Sequence, residues 1–126
     1  MSLLESGENY LEAILRLSKK QTEIHAIDIV NILGFSKPSV SIALKKLKDD
    51  HYIEIDGNSH ITLTASGLEI ANRIYERHVI ITNLLVALGV DKEIAETDAC
   101  KMEHDLSNET FQAIKKLYNK ITNNEI

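Results

Sequence analysis

Cysteine, glutamate and histidine are side chains that hold transition metals, and here they stand together as Cys100, Glu103 and His104. On a helix these are positions i, i+3 and i+4, so a thiol, a carboxylate and an imidazole leave one face within a single turn. Composition alone makes the same trio a core cysteine beside two solvated polar residues. A further histidine, His78, lies upstream in a stretch of helical spacing, where a lone imidazole is ordinarily a hydrogen-bonded core residue. What separates the two readings is whether other segments supply matching donors.

A second pattern suits a polyanion. Between Gly34 and Lys48 stand Lys37, Lys45, Lys46 and Lys48 with no acid among them, and Ser36, Ser39 and Ser41 lie at the start of that run. Hydroxyls in a first helical turn bond phosphates or base edges, and lysines neutralise flanking phosphates. The chain as a whole carries a formal charge of −5, which does not announce a nucleic-acid binder. Charge is instead divided by segment, since Asp91, Glu93, Glu96, Asp98, Glu103, Asp105 and Glu109 make the stretch around Cys100 acidic.

The elements that must position these groups are mostly helical. The 126 residues suffice for an ordinary core. A single cysteine excludes an internal disulfide and suits a reducing compartment. The N-terminus lacks the regions of a signal peptide and no apolar run reaches bilayer length, so a cytoplasmic location is expected.

Helical spacing of Leu11, Ile14 and Leu15, with Leu3 and Leu4 before them, predicts a first helix over about 4–19, with Glu5, Glu8, Asn9 and Glu12 as its polar set. A second helix over 24–33 is expected to bury Ile27, Ile29, Val30, Ile32 and Leu33 and to stop at Gly34. Ser36 is a suitable N-cap for a third helix, 36–50, with Pro38 tolerated in its first turn. That helix buries Val40, Ala43, Leu44 and Leu47 and shows Ser39, Ser41, Ile42, Lys45, Lys46 and Lys48. Two short helices around a glycine turn are equally the pattern of a helix-turn-helix and of two solvated amphipathic helices. The next segment favours the former. Residues 52–55 and 60–64 alternate apolar and polar around Asp56-Gly57-Asn58, which predicts a β-hairpin placed as a wing, with Asn58, Ser59 and His60 at its tip. A long helix from Thr64-Ala65-Ser66-Gly67 to about Leu88 follows, with Ile70, Ile74, Ile81, Leu84, Leu85 and Leu88 as its apolar side. Asp91 caps a fifth helix reaching about Leu106, and a last helix over 108–118 offers Phe111, Ile114 and Leu117.

This order of elements, Tyr10-Leu11-Glu12 in the first helix, Leu63-Thr64-Ala65-Ser66-Gly67 after the wing, Arg77-His78, and above all Asp98-Ala99-Cys100-Lys101-Met102-Glu103-His104 resemble the diphtheria toxin repressor family of metal-dependent transcriptional regulators, which includes the manganese transport regulators. The likeness covers essentially the whole chain. It implies a mainly α architecture: a winged helix-turn-helix DNA-binding domain over 1–64, with three helices and a hairpin wing, then a helical metal-binding and dimerisation domain over 65–126. In length the chain is similar to the short manganese-type members, without the SH3-like third domain of the longer iron-type ones.

The resemblance further implies a homodimer that takes Fe(II) or Mn(II) and represses metal-uptake genes from a double-stranded palindromic operator, with no membrane and no small organic substrate as partner and no enzymatic activity. Cys100, Glu103 and His104 match the ligand trio of iron-type members, His78 the histidine of the long helix, and Glu12 the first-helix carboxylate of manganese-type members. Asn9 stands where manganese-type members carry aspartate and iron-type members methionine. Thr82 and Glu96 replace a carboxylate and a histidine of the iron-type ancillary site. Ser36, Lys37, Pro38, Ser39, Ser41 and Ile42 match the base-facing side, Lys45 and Lys46 the phosphate-facing side, with His60 on the wing. Ile42 replaces a glutamine of the iron-type archetype, so operator preference does not transfer.

Thiolate is softer than carboxylate, which favours Fe(II), Co(II), Ni(II) or Zn(II) over Mn(II). A neutral Asn9 also removes charge that would hold a second ion. Fe(II) is therefore the expected effector, with Mn(II) the close competitor and Co(II), Ni(II) or Zn(II) able to bind in vitro, at one site per subunit. Two other classes stay open: a winged-helix regulator that senses oxidants through Cys100, and a small helical metal-binding protein or metalloenzyme, which would need an open coordination position and no basic helix.

Overall fold

Glu5 and Glu8 in the first turn, where exposed N–H groups favour negative charge, open helix α1, Glu5–Ser18. The structure, a computed structural model, describes residues 5–123, so Leu3 and Leu4 lie outside the described residues. Leu11, Ile14, Leu15 and Leu17 are buried as their spacing predicts, with Tyr10, whose phenol burial shifts to a raised pKa.

Helix α2, Ala26–Leu33, starts with a capping box between His25 and Asp28 and ends where Gly34 turns left-handed at φ 75°. Eight residues give one narrow inward face, and only Ile29 is buried on it. The expectation that Ile27 and Ile32 join the core is corrected, since both are exposed (47% and 42%). Ser36 accepts a hydrogen bond from the Ser39 amide and caps α3, Lys37–Asp49. The chain bends by 117° between α2 and α3, as a helix-turn-helix requires. Val40, Leu44 and Leu47 form the buried ridge of α3, while Ala43 is half-buried.

The wing consists of β1, Ile53–Ile55, and β2, Ile61–Leu63, antiparallel with Ile53 opposite Leu63 and Ile55 opposite Ile61. Asp56 makes the turn by accepting from the Asn58 and His60 amides, both at 2.9 Å. Ile61 donates from its backbone N to the Ile24 carbonyl at 2.8 Å, which ties β2 to the segment before α2. Ile53 and Ile61 turn into the core.

Helix α4 spans Ala65–Ala87, α5 Lys92–Met102 and α6 Asn108–Thr122. Asp91 and Ser107 cap α5 and α6 as N-caps. The chain divides into two compact units, Met1–Arg73 and Ile74–Ile126, the division falling within α4. In the second unit Ile74, Ile80, Ile81, Leu84, Ala95, Ala99 and Phe111 are buried. Leu88, expected on the apolar side of α4, is instead 66% exposed because it lies past the helix end. Leu117 is also exposed, and α6 continues beyond the expected end at Tyr118. Among the described residues no single helix is long and apolar enough to cross a membrane.

Candidate metal centre and nucleic-acid interface

Ile74, Arg77, His78 and Ile81 are spaced i, i+3, i+4 and i+7 on α4, so two polar residues occupy core positions of an apolar stripe. Both are buried: Arg77 is 4% exposed and His78 9%. Burial of such groups demands partners, and α5 with the turn after it supplies them. Nδ1 of His78 and Oε2 of Glu103 share a hydrogen bond of 2.8 Å. The Cys100 sulfur lies 3.7 Å from the same Nδ1. The potential ligand atoms of His78, Cys100 and Glu103 all fall within 4.8 Å of one another.

The geometry corrects one expectation. Helix α5 stops at Met102, so Cys100 is in its last turn, Glu103 is its C-cap, and His104 lies in the turn beyond rather than on the helix. Arg77 satisfies the turn that follows, its Nη1 donating to the carbonyls of Glu103 (3.2 Å) and Leu106 (2.7 Å), which have no partner within α5. The Arg77 guanidinium also sits 5.2 Å from the centroid of the Phe111 ring. His104 nevertheless keeps its imidazole buried, 1% exposed, with Nε2 3.5 Å from Oε1 of Glu103.

The Glu103 carboxylate is 0% exposed, and its Oε1 accepts no hydrogen bond. A buried carboxyl group with one hydrogen-bonded oxygen and one that accepts no hydrogen bond is incompletely compensated. A divalent cation held by Cys100, His78 and Glu103 would complete it, with a mixed sulfur, nitrogen and oxygen set suited to borderline metals. The donors fit the group. Cys100 itself is exposed, leaving the cluster open to solvent on that side.

Asn9 and Glu12 belong to the first unit. Glu12 is buried and paired with Arg16 at 3.1 Å, while Asn9 is half-buried. Glu8, also buried, pairs with Arg73 at 2.9 Å. Thr82 is buried with no hydrogen bond to its hydroxyl, and Glu96 is exposed. Sequence reasoning gave Arg77 no structural task and missed the Arg16 and Arg73 pairings. The signal for Arg77 was its core position on the α4 stripe, beside the histidine that also occupies one.

On the first unit, Ser36, Lys37, Pro38, Ser39, Ser41, Ile42, Lys45 and Lys46 are all exposed on or beside α3, as is Lys48. Ser36 also donates its hydroxyl to Ser39 Oγ at 2.9 Å. His60 is set back from the hairpin tip, which is formed by residues 56–59. Its ring is 25% exposed, with Nδ1 3.8 Å from Asp56 and a centroid 6.3 Å from that of His25. His25 in turn shares a hydrogen bond of 3.0 Å with the Ser59 carbonyl. Two hydrogen bonds from the amides of His60 and Asn58 hold the Asp56 carboxyl below the usual carboxylate range.

Residues 2–61 match the model of the iron dependent repressor N-terminal DNA binding domain, and residues 64–125 that of the iron dependent repressor metal binding and dimerisation domain. The transcriptional regulator MntR of Escherichia coli is 39% identical over 108 residues, 86% of this chain and 70% of that protein. The iron-dependent repressor IdeR of Mycobacterium leprae is 28% identical over 121 residues, 95% of this chain and 53% of that protein. The solved structure of the manganese regulator SloR superposes with a TM-score of 0.79 at 27% identity, covering 94% of this chain and 55% of that one. The chain thus spans about half the length of the last two. Two family models meeting end to end, and a relative matched over most of both chains, place this protein in the iron-dependent repressor family of metal-dependent transcriptional regulators.

Proposed function

We propose that the chain is a metal-activated repressor that binds a palindromic operator as a homodimer and takes Fe(II) in preference to Mn(II). It is a regulator of transcription rather than an enzyme. The observation that carries the metal half is the buried Glu103 carboxylate, bare at Oε1 and gathered with His78 and Cys100 inside 4.8 Å. Bound there, a divalent ion would supply positive charge to an oxygen that accepts no hydrogen bond and that Nε2 of His104 approaches only to 3.5 Å. Cys100 would offer a thiolate, His78 the Nδ1 lone pair after its proton leaves, and Glu103 its carboxylate. His104, beside Glu103, is proposed as a further ligand, and the resemblance adds Glu12 and Asn9.

Softness of the thiolate supports Fe(II) over Mn(II). Among the relatives, one is named an iron-dependent repressor, whereas regulators named MntR and solved structures of manganese regulators recur, so the names lean towards manganese and the thiolate is the argument set against them. Operator binding and metal binding are then linked, with a coupling on the order of 1–3 kcal/mol typical of such regulators. The lysines of α3 contribute sequence-blind, salt-dependent affinity.

The test is titration of the metal-free protein with Fe(II) under anaerobic conditions and, separately, with Mn(II), followed by binding to DNA from its own upstream region. The wild type is compared with Cys100→Ala, Glu12→Ala and Asn9→Ala. Tighter DNA binding with metal than with chelator, and a larger loss for Fe(II) than for Mn(II) in Cys100→Ala, supports the proposal. DNA affinity indifferent to chelation but lowered by peroxide would favour an oxidant sensor working through Cys100, whose exposure is the observation behind that second reading.

A further inference from the structure

We infer that Ile42 reads the C5-methyl group of thymine in the major groove and so sets the operator preference of α3. The inference rests on the DNA-binding reading above and goes beyond it by naming the base that is recognised. Among the described residues Ile42 is the most exposed of the large apolar side chains, at 71%. With 3.6 residues per turn it stands roughly opposite the buried ridge of Val40, Leu44 and Leu47. It therefore occupies the outermost line of the helix, with Pro38 one turn before it and Lys45 and Lys46 one turn after it, all exposed.

The chemistry of this face narrows what Ile42 can do. No acid occurs from Lys37 to Lys48, and apart from the compact ring of Pro38 in the first turn the other exposed side chains are hydroxyls and ammonium groups that engage phosphates or base acceptors. A branched alkyl group can neither donate nor accept a hydrogen bond, and it gains nothing from a phosphate. Among the base edges of the major groove only thymine presents an aliphatic group. Placed at the crest of a helix whose flanks carry the cations, Ile42 is the side chain that goes deepest when those cations reach the backbones on either side. Its methyl groups are stiffly held by β-branching, which limits the entropy lost on contact.

The experiment first selects duplexes from a random library with the full, Fe(II)-loaded chain under anaerobic conditions. Each thymine of the selected duplex is then replaced singly by deoxyuridine, which removes the methyl and leaves every hydrogen-bonding group in place. Burying one methyl corresponds to roughly four-fold in affinity, and about fifteen-fold when both half-sites are changed. The expected result is such a loss at one or two thymines per half-site for the wild type, no loss at those positions for Ile42→Ala, and partial loss for Ile42→Val. Ile42→Gln should select a different base there. Equal affinity for every uracil-substituted duplex overturns the inference, as does an Ile42→Ala variant that keeps the wild-type uracil penalties. Failure to enrich any duplex overturns the DNA-binding reading itself, whereas enrichment without methyl dependence overturns only the role of Ile42.

Discussion

His78 and Glu103 share one hydrogen bond, 2.8 Å from Nδ1 to Oε2, while the other oxygen of the same fully buried carboxylate accepts none. Glu103→Gln separates what this pair does for folding from what it does for metal. Glutamine can still accept from His78, and it removes a buried charge. The stability of the metal-free variant should therefore stay within about 1 kcal/mol of wild type. The wild type should gain roughly 2.7 kcal/mol when free metal exceeds Kd a hundredfold, and Glu103→Gln should lose most of that gain. Thermal unfolding with and without Fe(II) or Co(II) reads both quantities, and an undiminished metal-induced rise in Tm would exclude Glu103 as a ligand.

Arg77 makes a prediction about order in the turn that follows α5. Its guanidinium satisfies the Glu103 and Leu106 carbonyls and lies against Phe111. Arg77→Ala leaves both carbonyls without that donor and opens a gap beside the ring, a loss of about 2–4 kcal/mol. Lysine can reach only as a point charge, so Arg77→Lys should recover part of the stability. Amide exchange at residues 103–107 should accelerate in Arg77→Ala beyond the change in global stability. Exchange that merely tracks global unfolding would show that the arginine does not organise this turn.

The fold was legible from local chemistry because its punctuation is local. Gly34, Ser36, Asp56, Asp91 and Ser107 each act on backbone groups within a few residues, so their types alone fix where helices and the hairpin begin or end. The spacing of Cys100 and Glu103 was legible for a similar reason, whereas His78 joined them only through the family resemblance, its own position on the α4 stripe reading as a core histidine. The end of α5 was not legible, since the carbonyls of the turn that follows are satisfied by Arg77, distant in sequence and invisible to helical periodicity. Burial on α2 was misjudged because apolar content does not say which of several isoleucines points inward. That direction is set by packing against α1 and α3.

Asp56 gives the wing a pH dependence whose sign follows from its depressed pKa. A carboxyl held below its unfolded value stabilises the turn at pH above the ordinary carboxylate range. That contribution fades as pH falls through the folded value. Acidification should therefore loosen the hairpin by protonating the acceptor of the His60 and Asn58 amides. In NMR titrations those two amide resonances should move together with the Asp56 carboxyl. Asp56→Ala should already show the loosened turn at neutral pH, with no such titration. Amide shifts that titrate unchanged in Asp56→Ala would assign the effect to another group.

Gly67 tests how closely α4 approaches the chain entering the wing. A Cβ built on it would collide with the Tyr52 carbonyl oxygen and stand 3.0 Å from its carbon. Those are backbone atoms, and the same oxygen accepts from the Thr64 amide at 3.1 Å, so it has little freedom to retreat. Thr64 in turn accepts from the Gly67 amide through Oγ1 (3.2 Å) and donates to the His51 carbonyl (2.7 Å), which pins the start of α4 against the residues before β1. Gly67→Ala must push these strands of hydrogen bonding apart, and should cost about 3 kcal/mol or more. Urea denaturation followed by circular dichroism measures the loss. An alanine variant as stable as wild type within about 0.5 kcal/mol would mean that the helix and the Tyr52 backbone do not meet at this distance in solution.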